Sequence, residues 1–295
     1  MQENPIVSII CLCFNHSNFV VECIKSIDNQ TYKNIQVIVI DDCSTDNSVE
    51  IITNYLKEFP EIQFIKNENN LGNTKSFNLG LQVAKGVFII DLATDDVLLS
   101  NCVALKLEKF STIKFSNLGI VYGNAENILE NGEHDSYYFE IDVTKKIIEP
   151  RPIGNIYKEI ISGGNSYCSA SAMIKKSVYD DLNGYNENLA YEDLDFWIRT
   201  SRKYNIDYLD EILMQKRIVK NSLGNQFFKK NHKINESTYL ILKNTLTLNK
   251  TKEEDLALLK RVHYEIFNCY KNKIYGLLLK NIGLKLRLFL KINFA

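Results

Sequence analysis

Residues 5–48 read PIVSIICLCFNHSNFVVECIKSIDNQTYKNIQVIVIDDCSTDNS, and the alternation inside this stretch decides the fold. VSIICLCF (7–14) is an apolar run of strand length, rich in β-branched residues at its start. SNFVVECIKSI places Phe19, Cys23 and Ile27 at i, i+4 and i+8, the stripe of an amphipathic helix with Ser17 or Asn18 as its N-cap. IQVIVI (35–40) is again a strand. TDNSVEIITNYLKEF (45–59) is a helix with Asp46 or Asn47 near its start and Ile52, Tyr55, Leu56 and Phe59 on one face. A strand at 62–65, a helix over 73–85 and the strand VFII (87–90) continue the pattern. Strands separated by helices of about 10–15 residues predict an α/β fold, a parallel sheet with helices on both faces.

The second half is less regular. EPRPIG (149–154) brackets Arg151 with prolines and marks a connection between two halves. SYCSASAMI (166–174) reads as a strand, EDLDFWIRTSRKY (192–204) as a helix, IDYLDEILMQKRI (206–218) as one or two strands, and 233–295 as mostly helical. The seven cysteines are scattered with no C-x-x-C pair, which reads as buried small hydrophobes in a reducing compartment rather than a disulfide framework. The N-terminus has no basic n-region, so the body of the protein is expected in the cytoplasm. A net charge of −1 gives it no electrostatic reason to seek nucleic acid.

In an open parallel sheet, ligands bind outside the carboxyl ends of the strands. Those ends here carry Cys13–Asn15, then Asp41, Asp42 and Asp46, then Asp95 and Asp96. Any single one of these acids can cap the following helix, as Asp46 is expected to do. Two Asp-Asp pairs on two strand ends, without a basic neighbour in sequence, point instead to a bound cation. Magnesium and manganese fit, held by one or two carboxylates and completed by phosphate oxygens. No Walker A loop and no G-x-G-x-x-G follows the first strand, which disfavours P-loop and dinucleotide enzymes.

Residues 5–48, with NNLGNTKSFNLGLQVAKGVFIIDLATDDVLL (69–99) and GYNENLAYEDLDFWIR (184–199), resemble family 2 glycosyltransferases of the GT-A fold over roughly residues 5–222. The resemblance implies a Rossmann-like, mixed but mainly parallel sheet flanked by helices, as a catalytic domain over 1–222. Its nucleotide-sugar half would cover about 1–125 and its acceptor half about 151–222, with 223–295 a helical extension. It implies inverting transfer of a sugar from a nucleoside-diphosphate sugar, most often a UDP-sugar, to a glycan or lipid-linked acceptor in surface polysaccharide synthesis. Phe14 matches an aromatic that lies against the nucleobase, followed by Asn15. Asp42 matches the carboxylate that accepts from a base N–H. Asp95 faces the ribose or sugar, and Asp96 is the ligand to a divalent metal, Mn²⁺ or Mg²⁺. Lys75, before the helix that carries Asn78, meets the diphosphate or is a surface lysine. Asp193 matches the base that deprotonates the acceptor hydroxyl, with Glu192 touching the acceptor. Without the resemblance, three acids at a helix start equally suit the helix dipole.

Asp195 is expected to pair or cap within the helix, and Trp197, at helical spacing with residues 194 and 198, to be core rather than a sugar platform. The pair Gly163–Gly164 fits either a close acceptor approach or a turn. The pattern departs from the family at two places. Ala93 stands where many members have the first acid of Asp-x-Asp-Asp, and Val219 where many have a histidine in KRIVKNS (216–222). Q-x-x-R-W is absent, so one sugar per encounter is expected. A nucleotidyltransferase or a non-catalytic nucleotide or glycan binder are the alternatives.

The last 25 residues carry six basic residues and no acid, leaving residues 1–270 with 29 basic against 36 acidic. Lys280, Arg287 and Lys291 share a helical face. That suits either a helix lying on the anionic inner face of the membrane, a peripheral location, or one packed on the domain or on the partner of a homodimer.

Overall fold

The computed structural model describes residues 4–112, 114–164, 167–220, 222–230 and 232–294. In chain order its elements are β1 (Val7–Cys13), α1 (Val20–Asp28), β2 (Ile35–Asp41), α2 (Ser48–Tyr55), β3 (Gln63–Lys66), α3 (Asn73–Val83), β4 (Phe88–Ala93) and β5 (Val97–Leu98). Then follow α4 (Cys102–Ser111), β6 (Leu118–Ile128), β7 (His134–Tyr137), α5 (Tyr157–Ser162), β8 (Met173–Lys175) and α6 (Lys176–Leu182). The chain closes with α7 (Asp193–Ser201), β9 (Asn205–Arg217), α8 (Lys233–Leu248), α9 (Lys252–Lys271) and α10 (Tyr275–Phe294). It divides into two compact units: Met1–Gly154, Tyr167–Tyr185 and Tyr204–Val219 in the first, and Asn155–Ser166, Asn186–Lys203 and Lys220–Ala295 in the second.

The first unit holds the whole sheet, ordered β3-β2-β1-β4-β8-β6-β9-β5, with β7 paired to β6. β1 runs parallel to both β2 and β4, and β2 parallel to β3. The chain thus winds outward in opposite directions from β1, toward β2 on one side and β4 on the other. Between β1 and β4 the carboxyl ends form the switch-point crevice of a doubly wound sheet. β8 joins this half, antiparallel to β4 and β6, to a second parallel pair, β6 and β9. All seven residues of β1 are buried, as its unbroken apolar run requires for a strand covered on both faces. Gly80 lets α3 lie close on the sheet: a Cβ there would come within 2.7 Å of Ile10 and 2.8 Å of Ile40.

Two local expectations differ in detail. The strand expected over 166–174 is a short helical turn at Ser169–Ser171 followed by β8, and Ser166 lies outside the described residues. Ser17 and Asn18 do not cap α1, whose N-cap is Phe19 with no side-chain bond. The Ser17 N–H instead donates to Asp46 (3.0 Å), and that carboxylate also accepts from the Ser48 N–H (2.9 Å) ahead of α2. One acid therefore ties the approaches to both helices, and the Phe19 and Val20 N–H groups at the entry of α1 donate to the His16 carbonyl (2.9 and 3.0 Å).

In the second unit, α10 packs on α9 and α8 through Leu277, Leu284 and Leu288. Two of its cations are ion-paired within the unit. Lys280 meets the exposed Glu236 at 2.8 Å, and Lys291 meets the buried Asp255 at 3.0 Å. The cationic face read from the sequence is therefore partly an ion-pairing face. Among the described residues, no helix is long and apolar enough to cross a membrane.

Candidate functional site

The crevice between β1 and β4 is lined by three turns that the register brings side by side. Leu12 pairs with Ala93, and Cys13 with Asp41, so residues 14–16, 42–46 and 94–96 leave the sheet at one edge. Asn15 turns the chain with a left-handed backbone, φ 61°, and Cys43 does the same at φ 63°. Asparagine tolerates this region better than most residues. Its Oδ1 accepts from the Thr45 N–H (2.7 Å), the Thr45 hydroxyl (3.2 Å) and the Asp46 N–H (3.3 Å), locking the first turn to the second. Asn15 thus builds the edge, and it leaves Phe14, 44% exposed, standing beside it as an open aromatic face.

Asp42 is buried and engaged. Its Oδ1 accepts from Asn67 Nδ2 (2.9 Å), the Ser76 hydroxyl (2.8 Å) and the Leu71 N–H (2.8 Å), and its Oδ2 from the Gly72 N–H (2.8 Å). A carboxylate offers about four acceptor positions. In this structure Asp42 fixes the loop between β3 and α3. Oδ1 takes three of these donors and Oδ2 one. Lys75 is the third residue of α3, inside the helix rather than before it, and is exposed.

Asp95 and Asp96 are 8% and 5% exposed, at the turn between β4 and β5. Burial, then the neighbouring charge of Asp95, pushes the Asp96 carboxyl well above the usual carboxylate range. The Arg217 N–H donates to Asp96 Oδ1 (2.8 Å) and partly offsets the rise. The Arg217 side chain, at the end of β9, also donates to the Asp95 carbonyl (2.9 Å) and to Glu22 of α1 (2.7 Å), and it stacks over Phe19. His16 Nδ1 lies 2.9 Å from the Thr94 hydroxyl and 3.7 Å from Asp95.

The sequence reading missed Arg217, Glu22 and His16 as neighbours of the acidic pair. Only the antiparallel pairing of Val97–Leu98 with Met214–Gln215 brings position 217 to the turn. His16 was visible, being part of the quoted turn.

A buried carboxyl with a raised titration beside a second carboxylate is a group to which a divalent ion would restore its charge. The donor set is two carboxylates. Among the described residues no group of three His, Cys, Asp or Glu could hold a metal. The residues therefore fit an ion that takes its remaining oxygens from a diphosphate and water.

In the second unit, Glu192 is the N-cap residue of α7 and Asp193 its first residue. One Asp193 oxygen accepts from the Leu194 N–H (2.6 Å). Asp195 is buried and paired with Arg199 (2.7 Å), and Trp197 is 2% exposed, so both have the structural roles expected of them. Gly163 ends α5 at φ 82°, and a Cβ there would meet the Arg261 side chain at 2.9 Å.

The sequence profile described as "Glycosyl transferase family 2" matches residues 8–182. An uncharacterized glycosyltransferase of Methanocaldococcus jannaschii, MJ1057, is 31% identical over 227 residues, 73% of this chain and 72% of that protein. Among solved structures, S. aureus TarS 1–349 in complex with UDP-GlcNAc superposes with a TM-score of 0.69 at 17% identity, over 96% of this chain and 81% of that one. The mannosyltransferase PcManGT of Pyrobaculum calidifontis, solved in complex with GDP-Man and Mn²⁺, gives 0.61 at 12% identity, over 99% and 84%.

Proposed function

The chain belongs to glycosyl transferase family 2, and from that premise we propose that it moves one sugar, with inversion, from a UDP-sugar to a hydroxyl of a glycan or lipid-linked acceptor in surface polysaccharide synthesis. The observation that carries this reading is the buried Asp95–Asp96 pair at the switch point, with the Asp96 carboxyl held above its ordinary range. Residues 1–222 are the catalytic region and 223–295 the helical extension. The exposed ring of Phe14 lies against the uracil. Asn15 holds the turn that presents Phe14. Asp42 serves the donor through the loop it fixes, whose Leu71 and Gly72 N–H groups it orients. Lys75, exposed in the first turn of α3, supplies a cation toward the diphosphate. Asp95 accepts from donor hydroxyls, and Asp96 holds the divalent metal with Asp95 beside it. A divalent ion held there would supply stabilisation of the charge that grows on the departing diphosphate.

Asp193 takes the proton from the acceptor hydroxyl, and Glu192 orients that acceptor. The Leu194 N–H donates to Asp193 Oδ1 and fixes the carboxylate at the start of α7. The test is nucleotide release from a panel of nucleotide sugars with Mn²⁺. Asp193→Asn should lower turnover by roughly 10²–10⁴-fold while leaving the thermal shift given by UDP unchanged. Turnover that survives Asp193→Asn removes it as the base. No nucleotide release from any sugar donor removes the transferase reading.

A further inference from the structure

We propose that the outward face of α10 is a docking surface for an anionic lipid bilayer, an inference independent of the sugar chemistry above. α10 is apolar on two opposite sides. One side, Leu277, Leu284 and Leu288, packs inside the second unit. The other carries Tyr275, Leu279, Ile282, Leu286, Phe289 and Leu290, all exposed, with Leu279 at 69%. At 3.6 residues per turn these six fall within an arc of about 100°. A surface helix of a soluble protein normally turns a polar face to water. This one turns leucine and phenylalanine outward.

The charge pattern identifies the occupant. From residue 266 to the end there are six cations and no carboxylate. Lys280 and Lys291 are neutralised internally by Glu236 and Asp255. Lys271, Lys273, Lys285 and Arg287 are exposed and have no ion pair among the described residues. Lys285 and Arg287 flank the apolar arc on its two sides, where cations of an in-plane helix meet lipid phosphates while the apolar arc enters the acyl boundary. The remainder of the chain is acidic in net charge, with 29 basic against 36 acidic residues over 1–270. A second copy is a poorer occupant. A two-fold contact through this arc sets Lys285 and Arg287 against their own mates, and α10 offers no acid to answer them.

The experiment is co-sedimentation of the full chain with vesicles of equal parts phosphatidylglycerol and phosphatidylcholine, against phosphatidylcholine alone, at low and high salt. The exposed pair Leu286→Ser/Phe289→Ser tests the apolar arc, and Lys285→Glu/Arg287→Glu tests the charges. Each variant should keep the wild-type Tm and lose anionic-vesicle binding by roughly tenfold or more, since each surface cation contributes about a fivefold factor. Phosphatidylcholine alone should bind the wild type at least as weakly. Absent wild-type binding to anionic vesicles, or binding that both variants retain, overturns the proposal. A wild-type dimer in light scattering that Leu286→Ser/Phe289→Ser converts to monomer, with vesicle binding unchanged, assigns the face to a second copy instead.

Discussion

Asp42→Asn separates two roles for one carboxylate, holding a loop or reading a base. The substitution keeps the side-chain shape and one carbonyl oxygen but turns the other acceptor into a donor. Placed to keep the three donors on Oδ1, the new amide N–H₂ points at the Gly72 N–H, which Oδ2 now accepts at 2.8 Å. One charge-assisted bond is lost, and the donors from Asn67, Leu71 and Ser76 lose the assistance of the charge. Hydrogen bonds to charged groups contribute about 1.5–3 kcal/mol each and neutral ones about 1. The combined cost is therefore at least ~3 kcal/mol. For a unit of this size that corresponds to a fall in Tm of roughly 6 °C or more. Calorimetric unfolding of both forms measures the cost, and titration with UDP in the presence of Mn²⁺ measures the donor site. A variant with wild-type Tm and at least tenfold weaker UDP binding refutes the reasoning, because the carboxylate would then serve the base and not the loop.

Two further substitutions test buried acids elsewhere. Asp96→Asn keeps an acceptor for the Arg217 N–H but removes a buried charge beside Asp95. The ligand-free chain should gain ~1 kcal/mol and lose the thermal shift given by Mn²⁺ with UDP; an unaltered shift would exclude Asp96 as the metal ligand. Burial raises the Glu265 carboxyl, against the opposing charge and hydrogen bond of Arg261. The folded state therefore holds this proton to higher pH than the unfolded state. Its stabilising contribution is complete below the unfolded value near ~4.3 and is lost as pH rises through the raised folded value. Glu265→Gln should flatten the stability–pH curve in that window, and an unchanged slope there would show that Glu265 does not produce it.

The first half of the fold was legible because β1 is buried along its whole length and β2 and β4 over most of theirs, while the helices between them bury one face, so periodicity separates them. β1, β2 and β4 fall within two or three residues of where the apolar runs place them. The 166–174 segment misled because only its last residues, Met173 and Ile174, continue as a strand, while Ser169–Ser171 makes a helical turn, with the Ser171 hydroxyl donating to the Gly123 carbonyl (2.8 Å) of a distant strand. Within the candidate site, Asp95 and Asp96 stood out as adjacent acids after a core strand. Arg217 did not, since a single arginine at a strand end acquires meaning only through the pairing of β5 with β9. The reach of Asp42 to residues 67–76 was hidden for the same reason: loop contacts are not periodic. Likewise, the tail's cations could not be divided into paired and unpaired until Glu236 and Asp255 had positions.

The inner side of α10 also bears on how this chain can be divided. Leu277, Leu284 and Leu288 are buried, and Lys291 donates to the Leu246 and Asn249 carbonyls as well as to Asp255. Cutting the chain at residue 274 would uncover the apolar sides of α8 and α9 and take the Lys291 cation from the buried Asp255 carboxylate, leaving it the Asn249 amide at 2.9 Å. Residues 275–294 are thus a wall of the second unit, not an appendage. A truncated enzyme made to improve solubility would gain exposed leucine from the core for each leucine removed from the surface, whereas replacing outward residues in place would leave the wall standing.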